Sequence, residues 1–105
     1  MPKIDIVKKL GKIKKSFTRY LLTKVDDCNV YLVVFQGDYK RNRHPGDEFF
    51  YVLKGEIQVE IDGKLERIRK GEGFLVSKGT WHSSHSRRKS LVIVFEKMEL
   101  PTEFA

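Results

Sequence analysis

The sequence predicts an all-β domain, a barrel or sandwich of short strands behind a basic N-terminal segment, on three observations. Seven runs rich in β-branched and aromatic residues follow one another between residues 16 and 97: SFTRYLLTK, NVYLVVFQ, EFFYVLKG, EIQVEID, KLERIRK, GFLVS and SLVIVFEK. Turn-forming clusters separate them (DDCN, QGD, HPGD, DGK, KGEG and SKG), and closely spaced strands between such turns are the pattern of sandwiches and barrels. No linker, repeat or low-complexity stretch divides the series, and 105 residues make one domain.

The chain divides into a segment of residues 1–16 and a single β-domain of residues 17–105. At the border of the two, Ile6, Leu10, Ile13 and Phe17 recur at helical spacing, with Lys8, Lys9, Lys12 and Lys15 turned outward. Gly11 weakens that helix. Further on, EIQVEIDGKLERIRKG reads as a hairpin. Ile57, Val59 and Ile61 face one way, Glu56, Gln58 and Glu60 the other, and Asp62-Gly63 supplies a primed turn. The strand of Glu48, Phe50 and Val52 is apolar on its other face too, at Phe49, Tyr51 and Leu53, so something must cover that face.

The net charge is +7, yet residues 1–24 hold eight Lys or Arg against Asp5 alone, while residues 25–105 hold thirteen of each sign. The excess lies in one arm without interleaved aromatics or a base-reading motif, so a solvated face is expected in preference to a nucleic-acid contact. No apolar run approaches the roughly 20 residues that span a bilayer, and no membrane partner is expected. A lone Cys28 excludes an internal disulfide framework and a thiolate metal site, which leads to a reducing, cytoplasmic compartment. A third of the residues are charged, with two Asn and two Gln, a composition that leans toward a thermophilic source.

The stretch RNRHPGDEFFYVLKGE carries the chemistry. It sets His44, Asp47 and Glu48 beside an apolar run, where a charge needs a partner. A three-residue connection, Pro45-Gly46-Asp47, would place His44 directly across a hairpin from Glu48, with β-carbons about 5 Å apart. Alternation would then put Asn42 and Lys40 on the same face as Phe50 and Val52. Arg41 and Arg43 would face away. His44 and Glu48 then read either as a cross-strand ion pair or as two ligands of one metal ion. In GTWHSSHS, His82 reads as a turn histidine or as a ligand, and His85 has the opposite parity.

The chain resembles the cupins, small jelly-roll β-barrels with two motifs. The first runs here as Gly37, four residues, Asn42-x-His44, three residues, Glu48, six residues, Gly55. The second runs as Gly71, five residues, Ser77-x-Gly79, two residues, His82, three residues, Ser86. The resemblance covers residues 30–95 and is similar to the small single-domain, mannose-6-phosphate isomerase-like cupins. It implies a double-stranded β-helix barrel in which His44, Glu48 and His82 converge on one divalent transition metal ion per subunit: iron, manganese, nickel, copper or zinc. The chain departs from the family pattern at Asn42, which stands where the first histidine is usual. It departs again at Ser77 for proline, at Ser86 for asparagine and in the nearer first glycine. Two histidines and one carboxylate remain, the facial set of non-haem iron oxygenases, with Asn42 able to add an amide oxygen for a harder ion.

Three functions follow as expectations. The first is a metal-binding cupin, possible enzyme, that oxygenates or isomerises a small molecule, with Lys40 and Phe50 contacting the ligand. The second is a non-catalytic cupin with a decayed metal site that binds or senses a sugar or organic acid. The third is a nucleic-acid accessory protein acting through the basic arm. The resemblance further implies a homodimer paired through the Phe49, Tyr51 and Leu53 face.

Overall fold

A computed structural model describes residues 1–97 and 101–105. Its elements are α1 (Ile6–Leu10), β1 (Tyr20–Val25), β2 (Cys28–Arg43), β3 (Glu48–Lys54), β4 (Glu56–Ile61), β5 (Lys64–Arg69), β6 (Gly73–Val76), β7 (His82–Lys97) and β8 (Glu103–Phe104).

The two long strands organise the barrel. β2 and β7 pair antiparallel from Cys28 with Lys97 to Asn42 with His82, and both run through two sheets. In the first sheet the early part of β2 and the late part of β7 lie between β1 and β3, with β6 beyond β3. In the second, the late part of β2 and the early part of β7 lie between β8 and β4, with β5 beyond β4. The crossover is a bulge: Phe35 pairs with Ser90 and Gly37 with Ser86, so Arg87, Arg88 and Lys89 loop out into solvent. There the Ser86 and Ser90 hydroxyls, 2.9 Å apart, hold the Glu56 main chain. Ser90 Oγ accepts the Glu56 N–H at 3.1 Å, and Ser86 Oγ donates to the Glu56 carbonyl at 3.0 Å. This clamp fixes the step from β3 to β4 at Gly55, whose φ of 86° only glycine adopts without strain.

Apolar residues of both sheets meet between them, among them Val33, Phe50, Val52, Ile57, Val59 and Val92. A second cluster lies outside the first sheet, where Ile13, with Ile6 and Leu10 of α1, covers Val30, Leu32 and Ile93. The N-terminal segment thus shields part of the outer face. Phe49, Tyr51 and Phe95 remain 36 to 39% exposed.

The expected β4–β5 hairpin is present, Ile61 pairing with Lys64 across Asp62 and Gly63, both at positive φ as a type I′ turn requires. Three expectations are corrected. QGD is no turn, because β2 continues through Gly37 and stays paired with β7 across the bulge. β2 and β3 do not form a hairpin around HPGD, since β3 pairs with β6 and β7. The helix ends at Gly11, and Phe17 leaves its apolar stripe. No helix among the described residues is long and apolar enough to cross a membrane.

Candidate metal centre

His44, Glu48 and His82 converge although no hairpin joins the first two. His44 follows the end of β2, Glu48 opens β3 on the other side of the barrel, and His82 opens β7. Two links hold the loops together: Gly79 N–H donates to the His44 carbonyl at 2.8 Å, and Lys78 N–H to Asp47 Oδ1 at 2.8 Å. Asp47 therefore ties the first motif to the second and stays outside the site. His44 Nε2 lies 3.6 Å from Glu48 Oε2, and His82 Nε2 lies 3.4 Å from Glu48 Oε1. One donor atom from each of the three lies within 4.8 Å of the others, and all three side chains are buried.

The rings are held for ligation. His82 Nδ1 donates to the Thr80 carbonyl at 3.0 Å, and His44 Nδ1 faces the Pro101 carbonyl at 3.4 Å and Thr102 Oγ1 at 3.2 Å. A carbonyl accepts and does not donate, so a ring that keeps its proton on Nδ1 leaves Nε2, the atom facing Glu48, as the position where a metal ion would take the place of a proton. Burial lowers the His44 pKa; the Glu48 carboxylate works against that and the Arg19 charge adds to it. Burial pushes Glu48 up, but the His82 hydrogen bond with the His44 and Arg19 charges holds its carboxyl below the ordinary value. Two Nε2 atoms and a carboxylate that converge so closely are held together by a cation, either a ring proton or a metal ion, and this donor set suits a divalent transition metal.

Asn42, 2% exposed, lines the same cavity. Its Nδ2 donates to the Lys40 carbonyl at 2.7 Å, which leaves the amide oxygen as the free donor atom. Phe50 lines the cavity as well. Lys40 does not: the β2–β7 register shifts between Tyr39 and Asn42, so the expected alternation breaks, Lys40 is exposed, and Tyr39 lines the wall in its place. His85 sits outside, 2.7 Å from Asp38. Arg41 and Arg43 flank the ring of Trp81 at 5.3 and 4.5 Å.

Two further charged groups at the site escaped the sequence. Glu96 is directly opposite Glu48 on the neighbouring strand, 4% exposed, and Arg19 bridges the two acids, at 3.0 Å from Glu96 Oε1 and 3.4 Å from Glu48 Oε2. Burial pushes the Glu96 carboxyl up to about 7, Arg19 opposing and Glu48 adding to the rise. The alternation of Val92, Val94 and Glu96 was the available signal for its inward direction. For Arg19 it was the shared parity with Phe17, which also lines the cavity.

Comparison with known proteins agrees with this geometry. The cupin domain model matches residues 31–95. The uncharacterized protein YdbB of Bacillus subtilis (strain 168) is 30% identical over 94 residues, spanning 88% of this chain and 83% of that protein. A cupin-2 domain containing protein from Shewanella frigidimarina NCIMB 400 superposes with a TM-score of 0.86 at 20% identity, over 90% of this chain and 93% of the other. Protein NMB1881 from Neisseria meningitidis gives 0.83 at 24%, over 91% and 99%. At those identities the structural likeness establishes the fold. The family match spans most of the chain and includes all three converging residues, and on that ground the chain belongs to the cupins, as a small single-domain jelly-roll member.

Proposed function

We propose that this protein binds one divalent transition metal ion per subunit through His44, Glu48 and His82, with the Asn42 amide oxygen as an additional donor, and that the ion takes a small molecule as a further ligand. The supporting observation is the shared orientation of two buried imidazoles, each with Nδ1 engaged by a neighbouring oxygen and Nε2 turned to one carboxylate. A simple ion pair would need neither that arrangement nor a cavity beside it. When bound, the ion supplies Lewis acidity or activates oxygen, the chemistry behind the isomerase and oxygenase readings. The chain's own part is to hold the donors, exclude bulk water and line the cavity with Phe50 and Tyr39.

The exposed face of Phe49, Tyr51 and Phe95, left open by the N-terminal segment, is the proposed seat of a second copy. The lone Cys28 fits a reducing, cytoplasmic compartment. Elemental analysis of tag-free protein tests the central reading. Near-stoichiometric metal that disappears in the His44→Ala/His82→Ala double variant is expected; no uptake of iron, manganese, nickel, copper or zinc would overturn it.

A further inference from the structure

The cavity beside the metal donors has one wall built by residues that precede β1. Phe17 sits at φ 57°, a conformation that costs a bulky residue energy, and it is held there by its N–H donating to the Val34 carbonyl at 2.7 Å. Its ring packs 5.0 Å from both Phe35 and Tyr39. Two residues on, Arg19 lines the same cavity, and among the described lining residues it alone carries a fixed positive charge. Its side chain is 36% exposed while the two acids it bridges are at most 4% exposed, so the guanidinium lies between the buried carboxylates and the mouth. Each terminal nitrogen bears a second N–H besides the one turned to an acid.

Charge then decides what the cavity accepts. With a divalent ion on His44, Glu48 and His82, the local cations are the ion and Arg19. The local anions are Glu48 and Glu96, so at least one positive charge is left over even with both acids ionised. A surplus charge in a largely buried cavity is relieved by an anionic ligand. The enclosed part of the cavity is small, about 40 Å³ for water-sized groups, and the cavity opens to solvent, so a ligand with a body of only a few carbons fits, its carboxylate at the Arg19 mouth. Phe17, Phe35 and Tyr39 present ring faces and edges to whatever lies beside the anion.

We propose that the Phe17–Arg19 segment makes this cavity selective for small carboxylic acids with a short apolar body, Arg19 receiving the carboxylate and the Phe17, Phe35 and Tyr39 rings the body. The inference rests on the metal-binding reading for its charge count. Calorimetric titration of manganese-loaded and metal-stripped protein with pyruvate and 2-hydroxybutyrate, each beside its neutral amide, tests it. The acids are expected to bind the loaded wild type at least ten-fold more tightly than the amides. That preference is expected to vanish in Arg19→Gln/Glu96→Gln, which removes the cation together with the acid it would leave unpaired, and to survive in part in Arg19→Lys. Manganese content should match the wild type in both variants. Equal binding of acid and amide by the wild type, or a preference that persists in the double variant, overturns the proposal. If the wild type takes up no manganese, the titrations are run on protein loaded with iron, nickel, copper or zinc. Uptake of none of these overturns the metal reading and with it the charge count, whereas metal uptake with equal binding of acid and amide overturns the acid preference alone.

Discussion

Glu48 and Glu96 stand directly opposite each other on neighbouring strands, both buried, with the Arg19 guanidinium reaching each of them. Two like charges so placed are costly, and the pair resolves the cost by division of roles: Glu48 is held below the ordinary carboxylate value and Glu96 is pushed up to about 7. One acid is kept ionised for a cation. The other keeps its proton until neutral pH.

The two acids make opposite contributions to stability as pH changes. A raised carboxyl such as Glu96 stabilises the fold fully below about pH 4.5, and that contribution is lost as pH climbs to about 7, a change on the order of 3 kcal/mol. Glu48, depressed, contributes above its unfolded value and loses it in acid. Metal-stripped Glu96→Gln should therefore melt above the wild type at pH 8 and no higher than it at pH 5. Melting curves across that range check this, and identical pH profiles for the two proteins would refute it.

Metal should stabilise the native state alone, because the donors come together only in the folded barrel. At a free metal concentration about 100-fold above the dissociation constant the gain is about 2.7 kcal/mol, readily seen as a rise in Tm. The wild type should show the rise, and His44→Ala/His82→Ala should not.

Gly55 is the hinge between β3 and β4, and a Cβ there would collide with Ser90 Oγ in addition to being strained at φ 86°. Gly55→Ala should lose about 2–4 kcal/mol in urea unfolding, more than a φ penalty alone would give. Gly63→Ala, also at positive φ but in open space, is the control and should lose about 1 kcal/mol.

Light scattering at micromolar concentration should report twice the 12.3 kDa chain mass. Tyr51→Glu/Phe95→Glu places charges on the exposed face and should halve the mass with the fold intact by circular dichroism. A wild type that is already monomeric would remove the second copy from this surface.

Legibility followed the range of the interactions. The β4–β5 hairpin could be read because its register is set by its own alternation and by Asp62-Gly63, all within sixteen residues. The meeting of His44 and Glu48 was foreseen from a hairpin that does not form; HPGD is a corner between two strands whose partner is β7, a pairing that no local pattern encodes. Lys40 was misplaced because a bulge shifts parity, and the bulge answers to the register with β7. His82 was identifiable through the motif resemblance, whereas Arg19 and Glu96 lie outside both motifs. They meet only because β1 and β7 flank the same stretch of β2, with β3 on the far side of β7.

The ladder that joins β2 to β7 also has a meaning for how the chain comes off the ribosome. Its rungs link residues from 69 positions apart, Cys28 with Lys97, to 40 apart, Asn42 with His82. Long-range pairings of this kind fold slowly, because loop closure is unfavourable until contacts form behind it. β2 is synthesised early and must wait, with its apolar edge unpaired, until nearly the whole chain has emerged. The exposed lysines and arginines of the N-terminal arm and of β2 after the crossover would keep that waiting chain dispersed, which gives the concentrated positive charge a use during synthesis.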